Sequence, residues 1–428
     1  MIFNHFNKPW IDHILLNKDL SIVQEAIQET YNFMKKCHSS LPILPIPLII
    51  EKDCYQDICS ASKLLIEAQT KIIKFLLSAH TQDEILEMFN LPHSIKSYID
   101  WDALNKVNKI IGRFDIVPSD KGYKFCEINA DTTSGGIKIY DCFKDYGNLF
   151  IKGHDNMSPR YNIAKYIREM IAEHKFDKVI IFTIKKYLFG GSGTVQSLFD
   201  YIAANIPEVP VMLFDEESYP INLLNSSENK KTLIYRIAAY KDIHFHPLLT
   251  KIFDSGATII NKFETEIRWN KNWFSIFYDP KYQDLLTDNE RAAILKFVPP
   301  SFQLTSENIE SFLQNKNQYV FKLNRSYGGA GVYIGADNKT EFLREVLTNV
   351  TEWTVQEIIE CQELLLPEDE SFEMKPHKVV LGLFHISDKY SGILVRANIK
   401  MRVINMNSGT KIGWAFPCSK EERDNTIL

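Results

Sequence analysis

The chain changes its hydrophobic rhythm three times. Over residues 1–110 the apolar positions recur at helical spacing. From Ser62 onward Leu64, Leu65, Ala68, Ile72, Phe75 and Leu76 fall on one helix face. Ser21 with Gln24 has the form of a capping box opening a helix that runs to Tyr31. At Ile111 the rhythm shortens. IGRFDIVP and YKFCEINA are two strand-like runs separated by Ser119-Asp120-Lys121-Gly122, residue types that favour a turn, so a β-hairpin is predicted.

From about 160 to 265, strand and helix signals alternate. Strands are predicted at Lys178–Ile184, Val209–Phe214, Thr232–Ile237 and Ala257–Ile260, and a helix at Thr194–Asn205. That alternation predicts a parallel sheet within an α/β unit. The remainder returns to mixed strands: Gln318–Leu323, Thr354–Ile359, and a long hairpin made by Lys378–Ile386 with Ile393–Val403. Glu363–Lys375, with four Glu and one Asp, is expected to be a solvated loop. No internal repeat or low-complexity tract is present.

Composition narrows the function classes. The 428 residues are 45% hydrophobic and 24% charged, values of an ordinary globular protein. A net charge of −5 argues against nucleic acid as the main ligand, because phosphate-backbone binders carry a basic excess. The longest apolar run, Leu41–Ile50, holds three prolines and is too short to span a bilayer, and the N-terminus lacks the pattern of a signal peptide. Seven cysteines, an odd number widely spread, suggest reduced thiols and a cytoplasmic protein. Glycine is scarce, and nine of the 18 fall in three clusters: Gly135–Gly136, Gly190–Gly191–Gly193, and Gly328–Gly329–Gly331–Gly335. Such clustering marks tight turns or backbone lying close to a ligand.

Two constellations carry chemistry. On the hairpin, Arg113 and Asp115 are two apart in one strand, and Glu127 and Asn129 two apart in the next, so each pair projects from one face, and a hairpin that pairs across its short turn can put both pairs on the same face. Asp115, Glu127 and Asn129 are hard oxygen donors suited to Mg²⁺, and Arg113 suits a transferring phosphate. The second is Lys322 followed by Asn324-Arg325-Ser326-Tyr327-Gly328-Gly329-Ala330-Gly331. A lysine leaving a strand before a glycine loop suits nucleotide phosphates, although no Gly-Lys-Ser/Thr follows as in a Walker A loop. Gln356-Glu357, at the end of a strand, is a candidate adenine contact. Weaker signals are Gly191-Ser-Gly193, which lacks the third glycine of a dinucleotide fingerprint, and His244-Phe-His246, expected to be a structural pair on one strand face. No Gly-x-Ser-x-Gly elbow occurs.

RFDIVPSDKGYKFCEINADT resembles the signature of glutathionylspermidine synthases and related circularly permuted ATP-grasp ligases: Arg-x-Asp, about a dozen residues, then Glu-x-Asn-Ala-Asp-Ser/Thr. WNKNWFSIFYDP is similar to the family's segment carrying a first ATP lysine, here Lys271. VFKLNRSYGGAGV resembles the second lysine, Lys322, with its lid loop, and VQEII the adenine strand. YSGILVRANIKMRVINMNSG is similar to a closing hairpin whose late arginine maps to Arg396. The resemblance covers roughly 100–415.

It implies a mixed α+β and α/β architecture: a circularly permuted ATP-grasp fold with an inserted Rossmann-like domain and an N-terminal helical region. The divisions would be 1–110, the metal-binding hairpin 111–155, the α/β domain 156–265 and the ATP-binding lobes 266–428. It further implies ATP with two Mg²⁺ ions and ligation of a small-molecule or peptide carboxylate to an amine, or to a thiol, through an acyl phosphate. Thr132 and Ser134 become candidate substrate contacts, within a segment (TTSGG) that departs from the family's and puts glutathione in doubt as the substrate. A small-molecule kinase and a non-catalytic ATP-binding regulator stay open as alternatives. Neither nucleic acid nor a membrane is expected as a partner.

Overall fold

Three sheets organise the chain. The computed structural model describes all residues except 1, 22–23, 26, 30–31, 33–41, 107–109, 132–133, 151–156, 189–193, 221–226, 370, 401–402, 405–408 and 428. The largest sheet has seven strands. They are β1 (Leu48–Glu51), β2 (Ile110–Ser119), β3 (Gly122–Asn129), β12 (Glu363–Pro367), β13 (Met374–Ser387), β14 (Lys389–Asn398) and β15 (Lys411–Cys418). Its order is β1-β15-β14-β13-β2-β3, with β12 paired to the start of β13. A second, antiparallel sheet has the order β10-β9-β11-β8, from β8 (Ser301–Gln303), β9 (Tyr319–Leu323), β10 (Val332–Ile334) and β11 (Trp353–Glu357). The third sheet is all-parallel, β5-β4-β6-β7, from β4 (Lys178–Thr183), β5 (Val211–Phe214), β6 (Thr232–Ile237) and β7 (Thr258–Ile260).

The parallel sheet follows from its sequence. KVIIFT and TLIYRI are apolar runs with little alternation, as expected of strands covered on both faces, and β6 is buried along its whole length. The helix Thr194–Asn205 forms over the predicted residues. In the N-terminal region the helix Lys52–Ala79 buries Leu65, Ala68, Ile72 and Leu76, the stripe that predicted it. The Ser21–Gln24 capping box with its helix to Tyr31, and the Gly191-Ser-Gly193 turn, fall on stretches that lie partly or wholly outside the described residues.

Three expectations need correction. The region 1–110 is not helical throughout, because β1 pairs in parallel with β15, Leu48 opposite Ala415. Glu363–Lys375 is not simply a solvated loop. Its first residues form β12, with Leu364 and Leu366 buried while Glu363 and Leu365 face out, so a two-residue alternation lay beneath the charge. His244 and His246 share no strand face. They close a helical turn, His244 capping Tyr240–Ile243 and stacking on the Tyr240 ring at 5.3 Å. Among the described residues, no helix is long and apolar enough to cross a membrane.

Candidate active site

The β2–β3 hairpin holds the chemistry through an irregularity. Its turn pairs Ser119 with Gly122, and that register continued inward would set Cys126 opposite Asp115. Glu127 and Asn129 would then point to the opposite face from Arg113 and Asp115. A bulge between Asp115 and Ile116 takes up Cys126 as the extra residue. Beyond it Asp115 pairs with Glu127 and Arg113 with Asn129, so all four side chains share a face.

The same face continues across the large sheet. Gly382 on β13 lies opposite Asp115, and Val380 opposite Arg396 of β14. A Cβ on Gly382 would sit 2.5 Å from Arg113 Cδ, so glycine here makes room for the guanidinium to lie flat on the sheet. With the antiparallel sheet as its other wall, this face bounds a cleft of about 630 Å³.

Charged groups line the cleft. Asp115 is almost fully buried and surrounded by donors. Arg113 Nε donates to Oδ1 at 2.7 Å, and Asn129 Nδ2 donates to Oδ2 at 3.1 Å. Arg396 Nη2 lies 2.7 Å from Oδ2. Burial alone would raise the Asp115 pKa, but the two guanidinium charges outweigh it and hold the carboxyl at about 2. Both oxygens of this expected metal ligand are therefore engaged by the protein. Glu127 is more open, its side chain 24% exposed, with Oε1 2.8 Å from Lys271 Nζ. Lys271 also donates to the Ser326 carbonyl of the glycine loop. Lys322 Nζ donates to Gln356 Oε1 at 2.5 Å and to the Cys126 carbonyl at 2.9 Å, while desolvation lowers its pKa. Arg396 Nε is buried with no hydrogen-bond partner among the described residues.

Apolar side chains are interleaved with these charges. Val117, Val320, Val332, Ile358 and Val380 line the same cleft as Gln356 and Glu357, with Val380 opposite Arg396 and Val332 opposite Lys322. The glycine loop borders the cleft. Gly328, Gly329 and Gly331 all have positive φ, at 67°, 80° and 64°. Gly328 and Gly329 face the cleft. Gly331 packs against Leu323 instead, where an added Cβ would meet the Leu323 Cβ at 2.7 Å. The loop's first residues are tethered: Tyr327 donates to Asp242 Oδ2 at 2.6 Å, and Arg325 Nη2 lies 3.4 Å from Glu266 Oε2.

Thus Arg113, Asp115, Glu127, Asn129, Lys271, Lys322, Gly328, Gly329, Gln356, Glu357 and Arg396 meet around one cleft. Ser134 is not among its lining residues, although its neighbour Gly135 accepts from Arg113 Nη1 at 3.1 Å. Thr132 lies outside the described residues. Sequence reasoning missed Lys378, which lines the cleft from β13, and Gly382. The signal for Gly382 was a lone glycine inside an apolar strand. Lys378 carried none before its register was known.

No family model matches this chain, and no curated protein matches it. Among solved structures it is similar to a glutathione synthetase-like effector from Globodera pallida in its apo form, with a TM-score of 0.60 at 13% identity over 94% of this chain and 98% of that one. A protein from Methylobacillus flagellatus KT named for gamma-glutamylcysteine synthetase aligns at a TM-score of 0.39 and 7% identity over 80% of this chain and 84% of that one. The first of these likenesses shows a shared mixed α/β fold.

Proposed function

We propose that the chain is an ATP-dependent ligase of the ATP-grasp kind, joining a carboxylate to an amine through an acyl phosphate. The observation that carries this reading is the convergence of Arg113, Lys271, Lys322 and Arg396, from four separate stretches of sequence, around one accessible carboxylate in a cleft that also carries apolar side chains and a glycine loop. The apolar side chains suit a purine and the cations suit its phosphates. The glutathione synthetase-like name of the Globodera pallida protein accords with a ligase.

The donor set defines how Mg²⁺ would fit. Among the described residues no three His, Cys, Asp or Glu side chains come together as a self-sufficient metal site. Magnesium typically takes one or two protein carboxylates and completes its shell with phosphate oxygens. Glu127, with Asn129 beside it, fits that shared role, and Asp115 instead orients Arg113 and Arg396. When bound, the ion neutralises charge across the phosphates.

In the reaction proposed, a substrate carboxylate oxygen attacks the γ-phosphorus, and the bond to the bridging β,γ oxygen breaks to release ADP. The amine then attacks the acyl carbon, expelling phosphate and losing its proton to solvent. Arg113 and Arg396 hold charge on the transferring group, Lys322 and Lys271 grip the nucleotide, and closure of Gly328–Gly329 excludes water. The test supplies labelled carboxylate oxygen and follows it by mass spectrometry. Label appearing in phosphate together with ADP supports the ligase. AMP and pyrophosphate as products would exclude it.

A further inference from the structure

Strands β2 and β13 have two faces, and the second face closes a different cavity. Val117 and Val380 point into the nucleotide cleft, while their neighbours Pro118 and Leu381 point the opposite way. There they line a space of about 460 Å³ that shares none of its described lining residues with the cleft. Its inner wall is apolar and buried: Phe6, Ile50, Ile58, Phe297 and Leu381. The space opens to solvent at a polar mouth and is closed at its base by buried apolar side chains, the form of a pocket wide enough for a small molecule.

The mouth is acidic. Glu51 caps the start of the helix Lys52–Ala79, and Asp53 and Asp57 follow on its first two turns. Asp57 accepts from the Tyr123 hydroxyl at 2.9 Å and has Lys296 at 3.6 Å. No hydrogen bond or ion pair engages the Glu51 or Asp53 side chains among the described residues. Among the described lining residues Lys121 and Lys296 are the only cations, and Lys296 is largely exposed. The Cys54 thiol reports this field: burial first, then the Asp57 and Glu51 charges, push it up to about 11.

We propose that this cavity is a second ligand site, for a small molecule with an apolar body and a protonated amine. The body lies against Phe297, Ile58 and Leu381, and the ammonium meets Glu51 and Asp53. The site is independent of the ligase reading.

The test uses a matched series, phenylpropylamine, phenylpropanol and phenylpropionate, titrated into the full chain by calorimetry. The amine should bind about fivefold more tightly than the alcohol, the scale of a solvent-accessible ion pair, and the carboxylate should not bind measurably. Glu51→Gln with Asp53→Asn should bring the amine down to the alcohol's affinity. Mg-ATP should displace neither. In the unmodified protein, saturating amine should slow alkylation of Cys54, a readout that needs no core substitution. Equal binding of amine and carboxylate, displacement by Mg-ATP, or Cys54 alkylation indifferent to the amine would each overturn the proposal.

Discussion

Replacing Asp115 by Asn removes one negative charge from between two guanidinium groups and changes almost nothing in shape. Side-chain exposures are 9% for Arg113, 3% for Asp115 and 7% for Arg396, so water cannot take over the lost interaction. Leaving buried charges without their partner typically costs about 3–5 kcal/mol. The titration of the carboxyl gives an independent scale. A fall from 3.8 to about 2 corresponds to roughly 2 kcal/mol of stability at neutral pH. Because the folded-state pKa is depressed, this contribution is complete above pH ~4 and disappears as the pH falls toward ~2. Amide hydrogen exchange in β2, β3 and β13 reads the effect locally, which matters in a chain with several sheets. Exchange there should accelerate by a factor corresponding to at least about 2 kcal/mol at pH 7, and the difference from wild type should shrink in acid. Protection in Asp115→Asn within about 0.5 kcal/mol of wild type would refute the idea that this carboxylate holds the two arginines in place.

Other outcomes follow from the same geometry. Glu127→Gln takes the carboxylate from the buried Lys271 ammonium and should lower the melting temperature somewhat, while reducing kcat at least about a hundredfold and raising the Mg²⁺ concentration needed for half-maximal rate. Lys322→Ala should chiefly raise the KM for ATP, with a smaller change in kcat, since in the proposed reaction its charge would meet phosphates before and during transfer. Gly331→Val should lower thermal stability even without nucleotide, because the new side chain meets Leu323 at a positive φ, whereas Gly328→Ala has open space and should affect kcat more than folding. Glu266 is buried, and burial first, then the Asp131 charge, raise its pKa to about 7. Its stabilising contribution is therefore present below pH ~4.5 and lost as the pH rises through ~7, and Glu266→Gln should flatten the stability–pH curve across that window. Limited proteolysis should cut within Gly328–Ala330 rather than at Tyr327, which Asp242 holds, and Mg-ATP should suppress the cut.

Where the sequence pattern spoke clearly, it did so through burial. β4, β6 and the helix Thr194–Asn205 are read almost to the residue, because apolar runs bounded by polar turns leave few alternatives. The charges at 363–375 hid β12, since acidic residues on its open side masked Leu364 and Leu366. Prolines at 42, 45 and 47 concealed β1, whose pairing comes from a strand more than 360 residues later. The site residues were recognisable by type and spacing. That the two pairs can share a face was expected from a hairpin closing across its short turn, but parity from the Ser119–Gly122 turn alone places Glu127 on the wrong side, and it is the bulge at Cys126, invisible in the sequence, that reverses it. Asp115 stood out as a carboxylate on the hairpin but not as one enclosed by arginines, since Arg396 approaches from a strand nearly 300 residues away.

That long-range closure has a consequence for how the protein is made. The parallel sheet draws all four strands from residues 178–260 and can assemble from local pieces as soon as they emerge. The hairpin bearing Arg113 and Glu127 is synthesised before it, yet its neighbour β13 and the arginine on β14 lie beyond residue 373. Until those arrive, the outer edge of β2 stays unpaired and Asp115 lacks one of its cations. The newest residues thus complete the oldest sheet. Nascent chains released before β14 should expose an aggregation-prone edge and depend on chaperones, whereas chains released just after β7 should already hold a protease-resistant α/β unit.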